Sequence, residues 1–318
     1  MQMETLRYFI ELAQAGSFYG AARNAFISQQ GLNKAVTALE DELGVKLVER
    51  GSRGVRLTTG GDIFLDYARR ALADYASMLD ELYAENRYVA PDAPPLVFHV
   101  TYYPAQISRP FIDGMGVIES VRVSEEGFRR IVESVASSDG SELYLVDVYA
   151  ETADELERRT DLLFEPMLVS QFGVVCQDGS PLSGHRVVHR EQLADVPLAV
   201  DSHRNTMRLV EDIMQDYPLN NIRIGVSEPR MTLEYAAKSK QVASMFDSFG
   251  FELAQRSPSI MTDGLNFTPL STPRSLRRVG FLYARNARPN VRARHAIERL
   301  RRHLAEHYAD YFARYPLR

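Results

Sequence analysis

The strongest constraint on this chain is the punctuation near its N-terminus. Leu6, Phe9, Ile10 and Ala13 repeat at helical spacing, and Gly16-Ser17 supplies a stop followed by a new N-cap. Ser17 then opens "SFYGAARNAF", whose small Ala21 and Ala22 let another helix approach closely, and a short turn leads to Ser28, the next N-cap candidate. From Ser28, the residues Leu32, Val36, Leu39 and Leu43 form one apolar stripe, while Gln29, Gln30, Asn33, Lys34 and Thr37 face outward and Gly44 ends the helix.

Charge is split along this last helix. No acidic residue stands between Glu11 and Glu40, whereas Arg23 and Lys34 do, and the acids Glu40, Asp41 and Glu42 cluster at its far end. Amides and a lysine in the first half can reach base edges and phosphates, where carboxylates would be repelled. The acidic end is expected to point away from a DNA groove. The following "LVERGSRGVRLT" reads as two short strands around a Gly-containing turn, with Arg50, Arg53 and Arg56 on a basic wing. A net charge of -5 and a pI near 5.9 exclude a uniformly basic coat but leave room for this local patch. Taken alone, residues 28–43 fit an ordinary amphipathic helix and the arginines a solvated turn. Tandem helices, acid gap and basic wing together predict a winged helix-turn-helix that binds DNA through Ser28, Gln29, Gln30, Asn33, Lys34, Thr37, Arg50, Arg53 and Arg56.

The stretch "FIELAQAGSFYGAARNAFISQQGLNKAVTALEDELGVKLVERGSRGVRLTTGG" closely resembles the DNA-binding domain of LysR-type transcriptional regulators. The likeness rests on Phe9, Ala13, Gly16-Ser17-Phe18, Ala21-Ala22, Ser28-Gln29, Leu39-Glu40, Leu43-Gly44, Leu47, Arg50, Leu57-Thr58 and Gly61, in that order. Gln30 stands where the family often has proline, Asn33 where it usually has serine, and Val48 where it usually has phenylalanine. These departures leave the module intact and its target sequence open.

With 318 residues, the chain is long enough for two or three domains. After the wing, Phe64, Ala68, Ala71, Tyr75, Met78 and Leu82 follow the alternating spacing of a coiled-coil seam, with Thr59 as cap candidate and Leu65, Leu72 and Leu79 widening the apolar face. A helix of about 30 residues is about 45 Å long, which favours a dimer helix over burial within one domain. The resemblance agrees, since LysR-type proteins join their domains through a dimerising linker helix. "APDAPP" then marks a hinge. The expected division is 1–60 winged helix-turn-helix, 61–90 linker helix and 91–318 effector-binding domain.

From Leu96 onward, short apolar strands alternate with helical stretches: "LVFHVTYY", "SELYLVDVYA", "FGVVCQ", "PLAVDS", "IRIGVS" and "VGFLYAR". This is an α/β texture. Open sheets place ligands at strand ends, so "TYYPA", "DSHRNT" and "GVSEPR" are the candidate loops. Thr101, Ser202, Thr206 and Ser227 offer hydroxyls, His203, Arg204 and Arg230 favour an anion, and Tyr102 and Tyr103 can stack on a ring. The serines and threonines fit helix caps equally well, and the tyrosines fit packing between lobes. The element order resembles the two-lobed, periplasmic-binding-protein-like effector domain of the same family, whose effector loops fall at these three strand ends. Tyr144, Ser239, Gln241 and Phe246 depart from that family's pattern.

Other chemistries find little support. The single Cys176 rules out an intramolecular disulfide, no apolar run reaches the roughly 20 residues of a membrane span, and no secretory signal opens the chain, so a cytoplasmic location is expected. His303 with His307, and His185 with His189, are spaced as zinc ligands but lack a third partner nearby. Cys176 sits in an apolar strand, and phosphate loops, nucleophile elbows and dinucleotide fingerprints are missing. No cofactor, metal or enzyme activity is expected. The C-terminal "RHAIERLRRHLAEHYADYFARYP" reads as one helix with Ile297, Leu300 and Leu304 inside and Arg299, Arg301 and Arg302 exposed, as a solvated face or a second contact for DNA or a partner subunit.

The reading is therefore a multidomain α plus α/β transcriptional regulator. It would bind a partly palindromic DNA operator as a homodimer or, by resemblance, a homotetramer, tuned by a small-molecule effector such as an aromatic or organic acid. RNA polymerase is a further candidate partner, and a membrane is not. The alternatives are a two-lobed solute-binding protein or enzyme without operator specificity, and an architectural DNA binder.

Overall fold

The computed structural model describes residues 3–25, 27–51, 54–85, 94–101, 121–214 and 221–317. It divides into two compact units, Met1–Ala93 and Pro94–Arg318.

The first unit contains α1 (Met3–Ala15), α2 (Phe18–Asn24), α3 (Gln29–Leu43), β1 (Val48–Gly51), β2 (Gly54–Leu57) and α4 (Thr59–Glu85). Its core joins Leu6, Phe9 and Leu12 of α1 to Ala21 and Ala22 of α2 and Leu32, Val36 and Leu39 of α3, all buried. The two alanines permit the close helix crossing that their size predicted. Leu43, assigned above to the apolar stripe, is instead exposed, because Gly44 turns the chain left-handed (φ 68°) directly after it. The cap of α4 is likewise displaced by one residue: Thr58, not Thr59, accepts the Gly61 N–H at 3.0 Å. Gly61 has to be a glycine, since a Cβ there would lie 2.1 Å from the Leu47 carbonyl oxygen.

The expected seam on α4 divides in two. Phe64 packs edge-on against Phe9 at 5.0 Å, and Ala68 is fully buried beside it, so this end of the helix belongs to the unit's own core. Ile63, Tyr67 and Met78 remain exposed.

Among the described residues, the second unit holds a nine-stranded sheet. Its strands are β3 (Leu96–Val100), β4 (Val121–Glu125), β5 (Leu143–Tyr149), β6 (Leu162–Gln177), β7 (Leu198–Asp201), β8 (Ile222–Val226), β9 (Ala243–Asp247), β10 (Leu265–Pro269) and β11 (Leu276–Ala284). They run in the order β4-β3-β5-β11-β6-β9-β7-β8, with β10 also pairing β6. β6 builds both lobes: residues 162–171 pair with β11, and residues 172–177 pair with β9 and β10. In the first lobe, Phe98, Leu145 and Phe281 pack on Ile297, Leu300 and Leu304 of α10 (Val291–His307), while Val146, Phe164 and Leu282 meet Ile131 and Val135 of α5 (Phe128–Ala136) on the other face. In the second lobe, Val174, Leu198 and Val200 pack on Val210 and Ile213 of α7 (Arg204–Met214), and Val175 meets Leu233 and Ala236 of α8 (Pro229–Lys238). Between α5 and α7 in the chain, α6 (Ala150–Arg158) follows β5 directly.

"FGVVCQ" proves to be only the second half of β6, and β4, β9 and β10 were not foreseen. Glu165-Pro166 disguised the first half. The strand survives there because its partner shifts register at Val279/Gly280, and a Cβ on Gly280 would lie 2.3 Å from the Glu165 carbonyl oxygen. The C-terminal segment is two helices, α10 and α11 (Ala309–Arg314). Its arginines are not an exposed face: Arg299, Arg301 and Arg302 are all half-buried, and Arg301 pairs with Glu165, which also accepts the Tyr283 hydroxyl at 2.8 Å.

A buried polar pin holds the crossing between the lobes. Ser170 of β6 donates to Asp247 at 2.8 Å, and Ser248, the first residue of α9 (Ser248–Gln255), accepts the Gln171 N–H at 2.9 Å. The Tyr311 hydroxyl lies 2.7 Å from Ser248 and 2.8 Å from the Val169 carbonyl oxygen. Burial pushes the ionisation of Tyr311 far upward, so it remains a neutral donor. Tyr311→Phe should leave the Val169 carbonyl without its donor and cost about 1–3 kcal/mol. Urea unfolding followed by circular dichroism checks this, and an unchanged midpoint would show that the hydroxyl contributes nothing.

Candidate nucleic-acid interface

Ser28 has extended backbone (φ -68°, ψ 146°), and its side chain accepts the Gly31 N–H at 2.9 Å, fixing the start of α3. Gln29, Gln30 and Lys34 are exposed on the first turns, while Asn33 and Thr37 are half-buried. Gln29, Gln30 and Lys34 thus stand outward as expected, whereas Asn33 and Thr37 are turned partly inward.

At the acidic end, position alone does not explain Glu40. Asp41 and Glu42 are exposed, but Glu40 is buried, and its carboxylate accepts the N–H groups of Leu47 and Val48 at 2.8 and 3.1 Å and the Lys46 ammonium at 2.7 Å. Glu40 thus ties α3 to the first strand of the wing. Burial acts to raise its pKa, but the Lys46 ammonium and the two backbone donors outweigh it and hold the carboxyl below its ordinary 4.5.

The wing is docked from its other side as well. Val55 N–H donates to the Gly16 carbonyl at 2.7 Å. Gly54 (φ 114°) permits that approach, since a Cβ there would lie 2.5 Å from the same oxygen. Arg50 on β1 donates to Asn33 Oδ1 and lies over the Phe18 ring at 4.6 Å. Arg56, paired in register with Glu49, is exposed, and Arg53 lies outside the described residues.

The expected effector residues stand differently. Tyr102 and Tyr103 lie outside the described residues. The Thr101 side-chain oxygen accepts the Asp147 N–H at 3.0 Å, Ser202 donates to the Val226 carbonyl at 2.8 Å, and Thr206 donates to the buried Asp201 at 2.7 Å. His203 N–H also donates to Asp201, at 3.0 Å. Arg230 pairs with Glu228 at 2.6 Å, while His203, Arg204 and Ser227 are exposed.

Sequence reasoning missed a polar group beside Thr101. Arg277 of β11 is buried against Asp147 of β5 at 2.8 Å and lies over the Tyr149 ring at 4.3 Å. Tyr149 in turn donates to Asp212 on α7 at 3.2 Å, from the first lobe to the second. The acid inside "LYLVDVY" was the visible signal, but its partner lies 130 residues away.

The family model described as the LysR substrate binding domain matches residues 146–305, half of the chain, and that of the bacterial regulatory helix-turn-helix proteins of the lysR family matches residues 3–62. The chain belongs to the LysR family. The HTH-type transcriptional regulator TfdT of Cupriavidus pinatubonensis is 48% identical over 73 residues, 23% of this chain and 32% of that protein. A probable hydrogen peroxide-inducible genes activator of Mycobacterium avium is 27% identical over 290 residues, 87% of this chain and 86% of that one. Full-length BenM, a solved structure, is similar with a TM-score of 0.48 and 22% identity over 96% of this chain and 97% of its own. This LysR chain spans about a quarter to a third of the length of the regulators it matches at 42–49% identity. No helix among the described residues is long and apolar enough to cross a membrane, and none of their His, Cys, Asp and Glu side chains form a cluster of three fit to hold a metal.

Glu40→Ala should orphan the Leu47 and Val48 donors and cost about 2 kcal/mol or more, read as a lower midpoint for the N-terminal unit. Because the folded pKa of Glu40 is depressed, its contribution is present above the ordinary 4.5 and disappears as pH falls through the folded value. The difference between wild type and variant should therefore narrow in melts below that range, as the charged share of the bond is lost.

Proposed function

We propose that this chain is a non-enzymatic, cytoplasmic transcriptional regulator that binds a partly palindromic DNA operator. The carrying observation is the acid-free face of α3, with Gln29, Gln30 and Lys34 exposed beside a wing anchored at Glu40 and bearing Arg50 and Arg56. Gln29 and Gln30 suit base edges in the major groove, and Lys34, Arg50, Arg53 and Arg56 suit phosphates. Residues 1–60 form the reading head, 61–90 the linker, and 91–318 the effector domain. Ile63, Tyr67 and Met78 on α4 offer apolar surface for a second copy in a homodimer or homotetramer, and RNA polymerase is a further partner.

The effector in this reading is an aromatic or organic acid held at the strand ends near Thr101, Ser202, His203 and Arg204. It acts only by binding one arrangement of the lobes better than another, since equal affinity shifts nothing. A screen yielding only neutral or cationic binders would refute the acid.

The decisive measurement is binding of the full-length protein to the DNA upstream of its own gene against scrambled DNA at one fixed salt concentration. Specific complexes are about 10³-fold tighter or more, so equal binding would point to an architectural role. Within the regulator, Arg56→Ala should weaken all sequences alike and lower the salt slope by about 0.9, whereas Gln29→Ala should change base preference at one position. Identical changes from both variants would overturn that division of labour.

A further inference from the structure

Asn33 and Arg50 belong to different elements, yet their side chains meet. Arg50 is the third residue of β1, and Asn33 lies in the second turn of α3. A guanidinium has only donors to offer, so the Asn33 atom facing it is the amide oxygen. The opposite restraint comes from α2, where the Phe18 ring, itself buried in the core of the unit, supports the guanidinium face at 4.6 Å. Arg50 is thereby held between α2, α3 and the wing, while its residue stays exposed and only one of its five donors is committed to Asn33.

Two consequences follow from the chemistry. Bidentate recognition of adenine needs the asparagine oxygen to accept from N6 while the amide nitrogen donates to N7. In Asn33 one of that oxygen's two lone pairs is taken by Arg50, which turns the amide toward the arginine rather than leaving it free to align with a base edge. Conversely, a long cationic side chain fixed on two sides gives up less rotamer freedom when it meets a phosphate than a free one does. We infer that Asn33 is a positioning residue rather than a base reader: it orients Arg50 toward the DNA backbone, and its loss weakens binding through Arg50 alone. This rests on the DNA-binding reading given above.

The test is a double-mutant cycle on the full-length protein with Asn33→Ala, Arg50→Ala and the pair, against both a random-sequence duplex and the DNA upstream of its own gene, over a salt series. Because phosphate contacts carry no sequence information, the effect should appear on both duplexes. Arg50→Ala is expected to weaken binding about tenfold and lower the salt slope by about 0.9, and Asn33→Ala to weaken it several-fold with a smaller fall in slope and no change in base preference. In the Arg50→Ala background, Asn33→Ala should have no further effect. Thermal melts of each variant separate loss of fold from loss of contact, and neither Arg50 nor Asn33 contributes to the buried core. Additive losses, a base preference altered with Arg50 already gone, or affinity unchanged or raised by Asn33→Ala would each overturn the inference and leave the regulator standing. Failure of the wild type to bind either duplex would remove the DNA-binding reading itself, and this inference with it.

Discussion

The arrangement of the N-terminal unit depends on one buried carboxylate. A helix and a wing can present a groove-reading surface only if their relative position is set before DNA arrives, and a two-stranded ribbon is too small to hold its own place. Glu40 supplies the restraint by taking two consecutive backbone donors at the start of β1, where an unpaired N–H would otherwise be buried. The Val55 to Gly16 hydrogen bond fixes the second strand against the turn between α1 and α2. Between these two anchors, Arg50 and Arg56 acquire a defined position relative to Gln29 and Lys34. The charge split along α3 therefore serves two ends: it keeps carboxylates off the first turns beside Gln29, Gln30 and Lys34, and it places one of them where it binds the wing.

The second unit solves a related problem differently. Its lobes are not separate sheets, because β6 runs through both and changes partners between Gln171 and Phe172. Such a strand keeps the lobes in covalent and hydrogen-bonded register, so relative movement concentrates where the partners change. Ser170, Asp247, Ser248 and Tyr311 occupy that place, and their mutual hydrogen bonds satisfy groups the crossing would otherwise bury unpaired.

What the sequence revealed follows the range of the interactions involved. Caps, stops and amphipathic stripes are local, and Ser28, Gly44 and the buried Leu32, Val36 and Leu39 stand where spacing placed them. Leu43 failed because a left-handed turn outranked periodicity, and Thr59 failed because a neighbouring threonine competed for the same role. The arginines of α10 failed for a longer-range reason: Glu165, on a strand hidden by its own proline, recruits Arg301 inward. Asn33 and Arg50 were read separately because nothing local shows that Arg50 donates to Asn33. Likewise, the hydroxyls at the strand ends were visible as residues, but their use by Asp147, Val226 and Asp201 was not.

These internal bonds also govern how a ligand would act on the lobes. If Thr101, Ser202 and Thr206 already bond to the protein, a small acid entering near them has to exchange hydrogen bonds rather than simply gain them, and its net advantage is correspondingly small. Coupling does not need a large advantage if the lobes are held weakly. The half-buried Tyr149 to Asp212 contact is a single hydrogen bond of about 1 kcal/mol, whereas the pin at Ser170 and Ser248 is a buried network. Any opening should therefore release the former before the latter, as a rotation about the β6 crossing. Arg277 sits beside the weak contact, with Tyr149 stacked on its guanidinium and Asp147 balancing its charge. Arg277 is buried and already balanced by Asp147, so it fixes the first-lobe side of this contact by holding the ring that makes the single bond across the lobes.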